Sequence, residues 1–207
     1  MTTRRYEQRL RAETAELTRR RILDAVERCL REAPTEPVSL EKVAQTAKVA
    51  RSTIYQVFGS KAGLFDAFAE DLWDRTGLPE LTRAVAHPDS REHLRGGFAA
   101  ASRMFAADRD LYRVLFSMAQ LDPDSVGGAV SDVERERAGG LAHLARRLAD
   151  AGVLRDDVTV EEATDVLWVL ASFESFDLLF TGRGLTLERA VELLLEMAER
   201  TLLRGST

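Results

Sequence analysis

The chain has 207 residues, 45% of them hydrophobic and 30% charged, so it can bury one or two sizeable cores. Its longest apolar runs are far shorter than a membrane span requires, and its charged N-terminus lacks the apolar stretch of a secretory signal. Cys29 is the only cysteine, which excludes an intrachain disulfide and fits a cytoplasmic protein. We therefore expect a globular protein with no membrane partner.

The net charge of −5 is divided unevenly along the chain. Residues 1–63 contain 13 Lys or Arg and 8 Asp or Glu, a balance of +5, whereas the remainder has 16 against 26, a balance of −10. A basic footprint confined to one end is typical of a phosphate-binding module joined to a domain with another role.

Apolar residues recur mostly at spacings of three and four, which predicts an all-α fold with no strand. Residues 1–17 have no sustained apolar face and are predicted to be a frayed basic arm. The first helix then carries a stripe from Ile22 to Leu30 and ends before Pro34 and Pro37. Further helices are predicted near 89–107, 109–121, 124–151, 159–180 and 186–203, separated by proline, aspartate and glycine breaks.

Two short helices joined by a three-residue turn are predicted between about Ser39 and Phe58. Ser39 is placed to cap the first helix, residues 48–50 form the turn, and Gly59 ends the second helix. Ser60 is placed to cap the longer connecting segment that follows. This helix-turn-helix can place its second helix in a DNA major groove, which is about 12 Å wide.

The exposed side chains of that second helix have chemistry suited to DNA. Gln56 can pair bidentately with adenine, and Arg51 can pair with guanine or a phosphate. Thr53 and Tyr55 offer hydroxyls to phosphates or apolar surface to a thymine methyl, and Lys61 suits a phosphate. Each of these residues, Tyr55 above all, is also compatible with an ordinary solvated helix face.

The order of these motifs resembles the tetracycline-repressor-like (TetR) family of bacterial regulators. The resemblance lies in residues 18–25 (TRRRILDA), 43–47 (VAQTA), 51–55 (RSTIY) and 58–61 (FGSK), with Leu64-Phe65 after them. It implies a three-helix DNA-binding domain, a larger helical domain for ligand binding and dimerisation, and repression relieved by a small molecule. It also implies DNA contacts by the residues at the matching family positions, namely Ser52, Tyr55, Gln56 and Lys61. The predicted DNA-binding set is Ser39, Thr46, Lys48, Arg51, Ser52, Thr53, Tyr55, Gln56 and Lys61.

Three residues depart from the family pattern. Lys48 stands where a turn glycine is usual, so we expect it in a left-handed conformation at a cost of about 1 kcal/mol. Gln56 and Val57 replace the usual aromatic or histidine pair, and Ser52 replaces a frequent glycine. Individual base contacts therefore do not carry over from the family pattern to this chain, although the fold does.

The sequence divides into a basic arm (1–17), a helix-turn-helix domain (18–64) and a helical ligand-binding and dimerisation domain (65–207). The segment from Val160 to Phe180 is apolar on more than one side, so one face can meet its own core and another a partner. With the final helix it predicts a four-helix interface of a symmetric homodimer. The predicted interface residues are Leu167, Leu170, Leu178, Leu187, Val191, Leu194, Leu195 and Ala198.

A pocket for an apolar or aromatic effector is predicted among the central helices. Its candidate walls are Phe98, Ser102, Phe105, Leu115, Phe116, Met118, Trp168 and Phe173, residues that can equally well fill a core. The three histidines lack metal-ligand spacing, and there is no phosphate loop or acid-base constellation, so we expect no metal, no cofactor and no catalysis. Two alternatives stay open at this point: a helical protein-interaction bundle that does not bind DNA, and a small helical enzyme.

Overall fold

The computed structural model describes residues 2–205, with the side chains of residues 2–5, 7, 8, 11, 125 and 129 left out of the description. Within that range the chain forms eleven α-helices and a π-helical turn at Leu178–Gly182, so the predicted all-α fold is confirmed. The helices are α1 (Thr2–Glu32), α2 (Leu40–Ala47), α3 (Arg51–Phe58), α4 (Lys61–Thr76), α5 (Leu78–Val85), α6 (Ser90–Ala107), α7 (Arg109–Leu121), α8 (Pro123–Asp150), α9 (Val160–Leu170), α10 (Phe173–Asp177) and α11 (Leu187–Leu202). Between residues 2 and 205 no helix combines the length and the apolar composition that crossing a bilayer would require.

Helix α1 begins at Thr2, so the prediction of a frayed arm is wrong for residues 2–17. No glycine or proline occurs between Thr2 and Ala33, and an i,i+4 ion pair joins Arg9 to Glu13 at 3.4 Å. A segment without an apolar face is therefore still a good helix former when it continues an existing helix.

Two further helical predictions need correction. The segment predicted as one helix over 159–180 breaks at Ser172, whose hydroxyl accepts a hydrogen bond from the amide of Ser175 and caps α10. Helix α5 was not predicted; it has only eight residues, and none of its side chains is buried.

The described residues separate into two compact units. The first contains the residues up to Asp71 together with Arg113–Val130, and the second contains Leu72–Tyr112 together with the residues from Ser131 onward. The predicted helix-turn-helix domain, 18–64, lies wholly in the first unit, which also includes residues that the sequence assigned to the larger domain.

The core of the first unit is built where α1, α2 and α3 pack together with the start of α4. Its fully buried apolar side chains include Ile22, Val26, Leu30, Val43, Ile54, Leu64, Phe65 and Phe68. Gly63 allows α4 to start close to the end of α3, because a Cβ at Gly63 would overlap the carbonyl oxygen of Phe58. Helix α3 is attached to this core through Ile54, which is fully buried.

The second unit is organised around α6, which packs against α5 and α11. Its centre is aromatic: the ring of Phe105 lies 5.4 Å from that of Tyr112 and 5.5 Å from that of Phe173, both edge-on. The hydroxyl of Tyr112 is hydrogen-bonded to Thr76 at 2.5 Å, and burial raises the pKa of Tyr112. An isolated β-bridge between Leu154 and Leu203 ties down the chain after α11.

Candidate nucleic-acid interface

The turn between α2 and α3 has the geometry of a helix-turn-helix. Lys48 has φ 54° and ψ 48°, so the predicted left-handed conformation is confirmed. The amide of Lys48 donates to the carbonyl of Gln45, and the amide of Val49 donates to that of Ala44, which closes the C-terminus of α2. Lys48 pays a steric cost of about 1 kcal/mol for a conformation that glycine would adopt freely.

Two arginines of α1 hold the C-terminal carbonyls of α2. Arg21 donates from Nη2 to the carbonyl oxygens of Ala47 at 3.1 Å and Lys48 at 3.3 Å, and Arg28 donates to that of Thr46 at 3.5 Å. The C-terminal end of a helix is its negative pole, so guanidinium groups stabilise it. Sequence reasoning missed both residues. Their spacing of seven places them on one face of α1, which was the signal that could have found them.

Helix α3 turns one face to its own core and the other to solvent. Ile54 is fully buried, and the half-buried ring of Phe58 lies under the guanidinium of Arg19 at 5.0 Å. Four side chains on the other side are exposed: Arg51, Ser52, Tyr55 and Gln56. The predicted outward display of polar and aromatic groups is therefore present in the structure.

Arg51 and Tyr55 form a local pair on this exposed face. Arg51 donates from Nη2 to the Tyr55 hydroxyl at 3.3 Å and lies 5.8 Å from the centre of its ring. The hydrogen bond that Arg51 donates to Tyr55 raises the pKa of Arg51. Because the two are i,i+4 neighbours on a free helix face, the pair presents a cation and a hydroxyl side by side.

The remaining predicted residues of the turn region are arranged differently from the expectation. Ser39 occupies the N-cap of α2 with extended backbone, but its side chain makes no capping hydrogen bond, so that prediction is wrong. Thr46 is half-buried with its hydroxyl 3.9 Å from the sulfur of Cys29 on α1. Thr53 is also half-buried and turned toward α1, where it lines an open groove of about 420 Å³ with Val57, Leu10, Thr14, Ala15 and Thr18. The solvent-facing part of the predicted set is therefore smaller than the sequence suggested.

Lys61 lies at the first position of α4. Ser60 accepts a hydrogen bond from the amide of Gly63 at 2.9 Å, so its predicted capping role is confirmed. The ammonium of Lys61 lies 3.2 Å from a carboxylate oxygen of Asp122 and 6.0 Å from the ring of Phe65. The sequence predicted a phosphate contact for Lys61 but gave no sign of this acidic partner, 61 residues away.

Residues 22–68 match the sequence profile of the bacterial regulatory proteins, tetR family. The helix-turn-helix segment of this chain is therefore similar to that of the TetR family of DNA-binding transcriptional regulators. The match covers α2, α3 and most of α1's buried stripe, which are the elements that hold the exposed face of α3.

Relatives of known sequence and of known structure extend the similarity beyond this segment. The chain is 26% identical over 182 residues to an uncharacterised HTH-type transcriptional regulator of Mycobacterium tuberculosis, an alignment that covers 88% of this chain and 85% of the relative. Its fold is similar to that of NalD from Pseudomonas aeruginosa, the secondary repressor of the MexAB-OprM multidrug efflux pump, with a TM-score of 0.73, 23% identity, and coverage of 94% and 100%. It is also similar to SmeT in its complex with triclosan, with a TM-score of 0.70, 21% identity, and coverage of 92% and 93%.

The residues predicted to bind a ligand divide between the two units. Phe98, Ser102, Phe105, Trp168 and Phe173 belong to the second unit, where all but the half-buried Trp168 are buried. Leu115, Phe116 and Met118 belong to the first unit, where Leu115 is buried. Whether they line a cavity stays a prediction.

Three residues predicted for the dimer interface fill the core of the second unit instead. Leu167, Leu194 and Ala198 expose no more than 2% of their surface, so they have none to offer a partner. Leu178 is 69% exposed, and four others are half-buried: Leu170, Leu187, Val191 and Leu195. Helical spacing identified the apolar positions. It could not distinguish those buried within the chain from those that remain exposed.

Proposed function

We propose that the regulator reads an inverted-repeat operator as a homodimer and represses transcription until a small, mainly apolar or aromatic ligand releases it. The observation that carries the DNA-reading part is the exposed face of α3, formed by Arg51, Ser52, Tyr55 and Gln56. A bacterial regulator must reach the chromosome, so we propose that the protein is cytoplasmic.

The face of α3 fits a major groove in size and chemistry. Its eight residues span about 12 Å, comparable with the groove width. Gln56 has the two-sided donor and acceptor pattern that adenine requires, and Arg51 can read guanine or hold a phosphate. Ser52 and Tyr55 contribute hydroxyls for phosphates. The +5 balance of residues 1–63 supports this role, because counterion release from phosphates supplies much of the affinity for DNA.

The homodimer is supported by exposed apolar side chains at α9 and after α10. Val169 is 58% exposed and Leu178 is 69% exposed. Surface of this kind is a common site of self-association. A twofold dimer asks for two half-sites about 34–36 Å apart, which is one turn of the DNA helix.

Ligand release is supported by the aromatic character of the second unit. Phe105, Phe173 and Phe176 form a contiguous ring cluster, a lining typical of sites for apolar ligands. The described repressor role of NalD and the triclosan complex of SmeT, which share this fold, motivate both repression and small-molecule binding as proposals.

The first experiment is selection of bound sequences from a randomised duplex library. The protein is compared with a Tyr55→Ala, Gln56→Ala double variant and with Thr82→Ala, an exposed position in the second unit, as the control. An enriched inverted repeat that is lost only in the double variant supports operator reading. If a folded protein enriches no motif, operator reading is wrong.

The dimer and the ligand are tested separately. Light scattering should give a dimer that Leu178→Asp weakens, whereas Leu121→Asp, at a leucine that is 86% exposed in the first unit, should leave it intact. Equal behaviour of the two variants would contradict the proposed interface.

The ligand is tested with a reporter gene that carries the selected operator. The regulator should silence the reporter, and an apolar or aromatic compound that also lowers DNA retention in vitro should restore its expression.

A further inference from the structure

We propose that Asp122 competes with the DNA phosphate for Lys61, so that the junction between α7 and α8 lowers the affinity of the regulator for DNA. The inference rests on the proposed function, because it takes Lys61 as a phosphate contact. It adds a residue outside the matched family segment, and it assigns that residue a negative effect on binding.

The pair lies within the first unit and is open to solvent. The Lys61 ammonium lies 3.2 Å from Oδ2 of Asp122, and the two side chains are 29% and 42% exposed. An anion in solution can therefore reach the ammonium while the pair is formed. Only Gly59 and Ser60 separate Lys61 from the end of α3, so Lys61 lies beside the helix that we propose enters the groove.

Hydrogen bonds of the Asp122 backbone fix the point at which its side chain is attached. Its amide donates to the carbonyl of Met118 at 2.8 Å, and its own carbonyl accepts from the amide of Val126 at 3.1 Å. Asp122 thus ends α7 and begins the hydrogen bonding of α8, which starts at Pro123. These bonds hold its backbone in place, so the carboxylate can leave Lys61 only by rotation of its own side chain.

A DNA phosphate bound at Lys61 would meet this carboxylate at close range. The ammonium has three donors, so it can contact both anions, but these two groups then carry like charge within a few ångströms of each other. DNA binding must either displace Asp122 or accept this repulsion. In both cases Asp122 opposes binding through Lys61.

The opposite role has a distinct signature. If Asp122 instead held Lys61 in the correct position for a phosphate, removing its charge would weaken DNA binding. The sign of the change therefore separates competition from positioning.

The test measures DNA affinity by fluorescence anisotropy with a random-sequence duplex at low ionic strength and with the selected operator. A phosphate contact contributes to the affinity for both duplexes, because it does not depend on base sequence. The random-sequence duplex can therefore be used before the operator is known. The variants are Asp122→Asn, Lys61→Met and the combination of both. Asp124→Asn is the control, since it removes the same charge two residues away at an exposed position.

We expect Asp122→Asn to bind about three- to ten-fold more tightly and to steepen the salt dependence by up to about one unit of the log–log slope. Asp124→Asn should change affinity less than about two-fold. Lys61→Met should bind more weakly, and the gain from Asp122→Asn should vanish in its background.

The inference is overturned if Asp122→Asn binds equally or more weakly, if Asp124→Asn gains as much, or if the gain persists without Lys61. Unchanged DNA affinity of the Lys61→Met variant also overturns it. These results leave operator reading intact when the unmodified protein still enriches a motif. Failure of the unmodified protein to bind either duplex overturns the proposed function, and this inference with it.

Discussion

Arg21 donates a hydrogen bond to the carbonyl oxygen of Lys48, the residue with a left-handed backbone at the turn of the helix-turn-helix. The same guanidinium reaches the carbonyl of Ala47, so one side chain of α1 holds both the end of α2 and the start of the turn. The position of α3 relative to α1 therefore depends on a charged contact as well as on the buried core.

Replacing Arg21 with glutamine should lower the free energy of unfolding by about 1 kcal/mol, because two carbonyls lose a charged donor at a partly solvated site. Urea denaturation measures the change. Arg9→Gln removes the same charge from an exposed i,i+4 pair with Glu13 on the same helix and should cost less than about 0.5 kcal/mol. Equal losses in the two variants would mean that the contact with the turn adds nothing.

Lys48→Gly should be more stable than Lys48→Ala by about 1 kcal/mol, because both remove the lysine side chain but only glycine adopts positive φ without steric cost. The alanine variant is the control for loss of the side chain. Thermal and urea unfolding of the pair give the difference. An alanine variant as stable as the glycine variant would show that the turn is not strained.

Gln56→Ala should relax sequence preference at one position of each half-site and cost about 1–3 kcal/mol of binding to the selected operator. The loss follows from the two hydrogen bonds that an adenine would no longer receive. Gln45→Ala makes the same change on the exposed surface of α2 and should leave the selected motif unaltered. A Gln56→Ala protein that selects the original motif would remove Gln56 from the base-reading residues.

His93 should make the second unit sensitive to mild acid. Burial, with a further effect from the charge of Arg147, lowers the pKa of His93 to about 4, and Arg147 donates to its Nδ1 at 2.9 Å. An unfolded histidine titrates near pH 6.5, so below that pH the unfolded chain binds the proton that the folded chain refuses. The free energy of unfolding should therefore fall by up to about 3 kcal/mol between about pH 6.5 and pH 4, with no contribution from His93 above that window.

Denaturant unfolding at a series of pH values tests this dependence. His93→Gln should flatten the profile between about pH 6.5 and pH 4, because glutamine does not titrate. Replacing the exposed His143 with glutamine should keep most of the original slope, because burial and Arg147 do more than His143 to lower the pKa of His93. An unchanged slope in His93→Gln would assign the acid sensitivity to other groups.

The amino-acid sequence by itself determined the helical fold and the local design of the helix-turn-helix. Helix α7 was predicted with its observed ends, Arg109–Leu121, because apolar spacing and the flanking breaks are local signals. The left-handed Lys48 and the capping Ser60 could be predicted for the same reason, since each depends on a few neighbouring residues.

Only the tertiary structure decided which surfaces are covered and which charges meet. Periodicity gave Leu194 and Leu178 the same apolar status, but one is buried in the chain and the other is exposed. The contacts of Arg21 with the turn and of Lys61 with Asp122 join residues at least 26 positions apart. Such contacts depend on how helices pack, and local propensity carries no information about that packing.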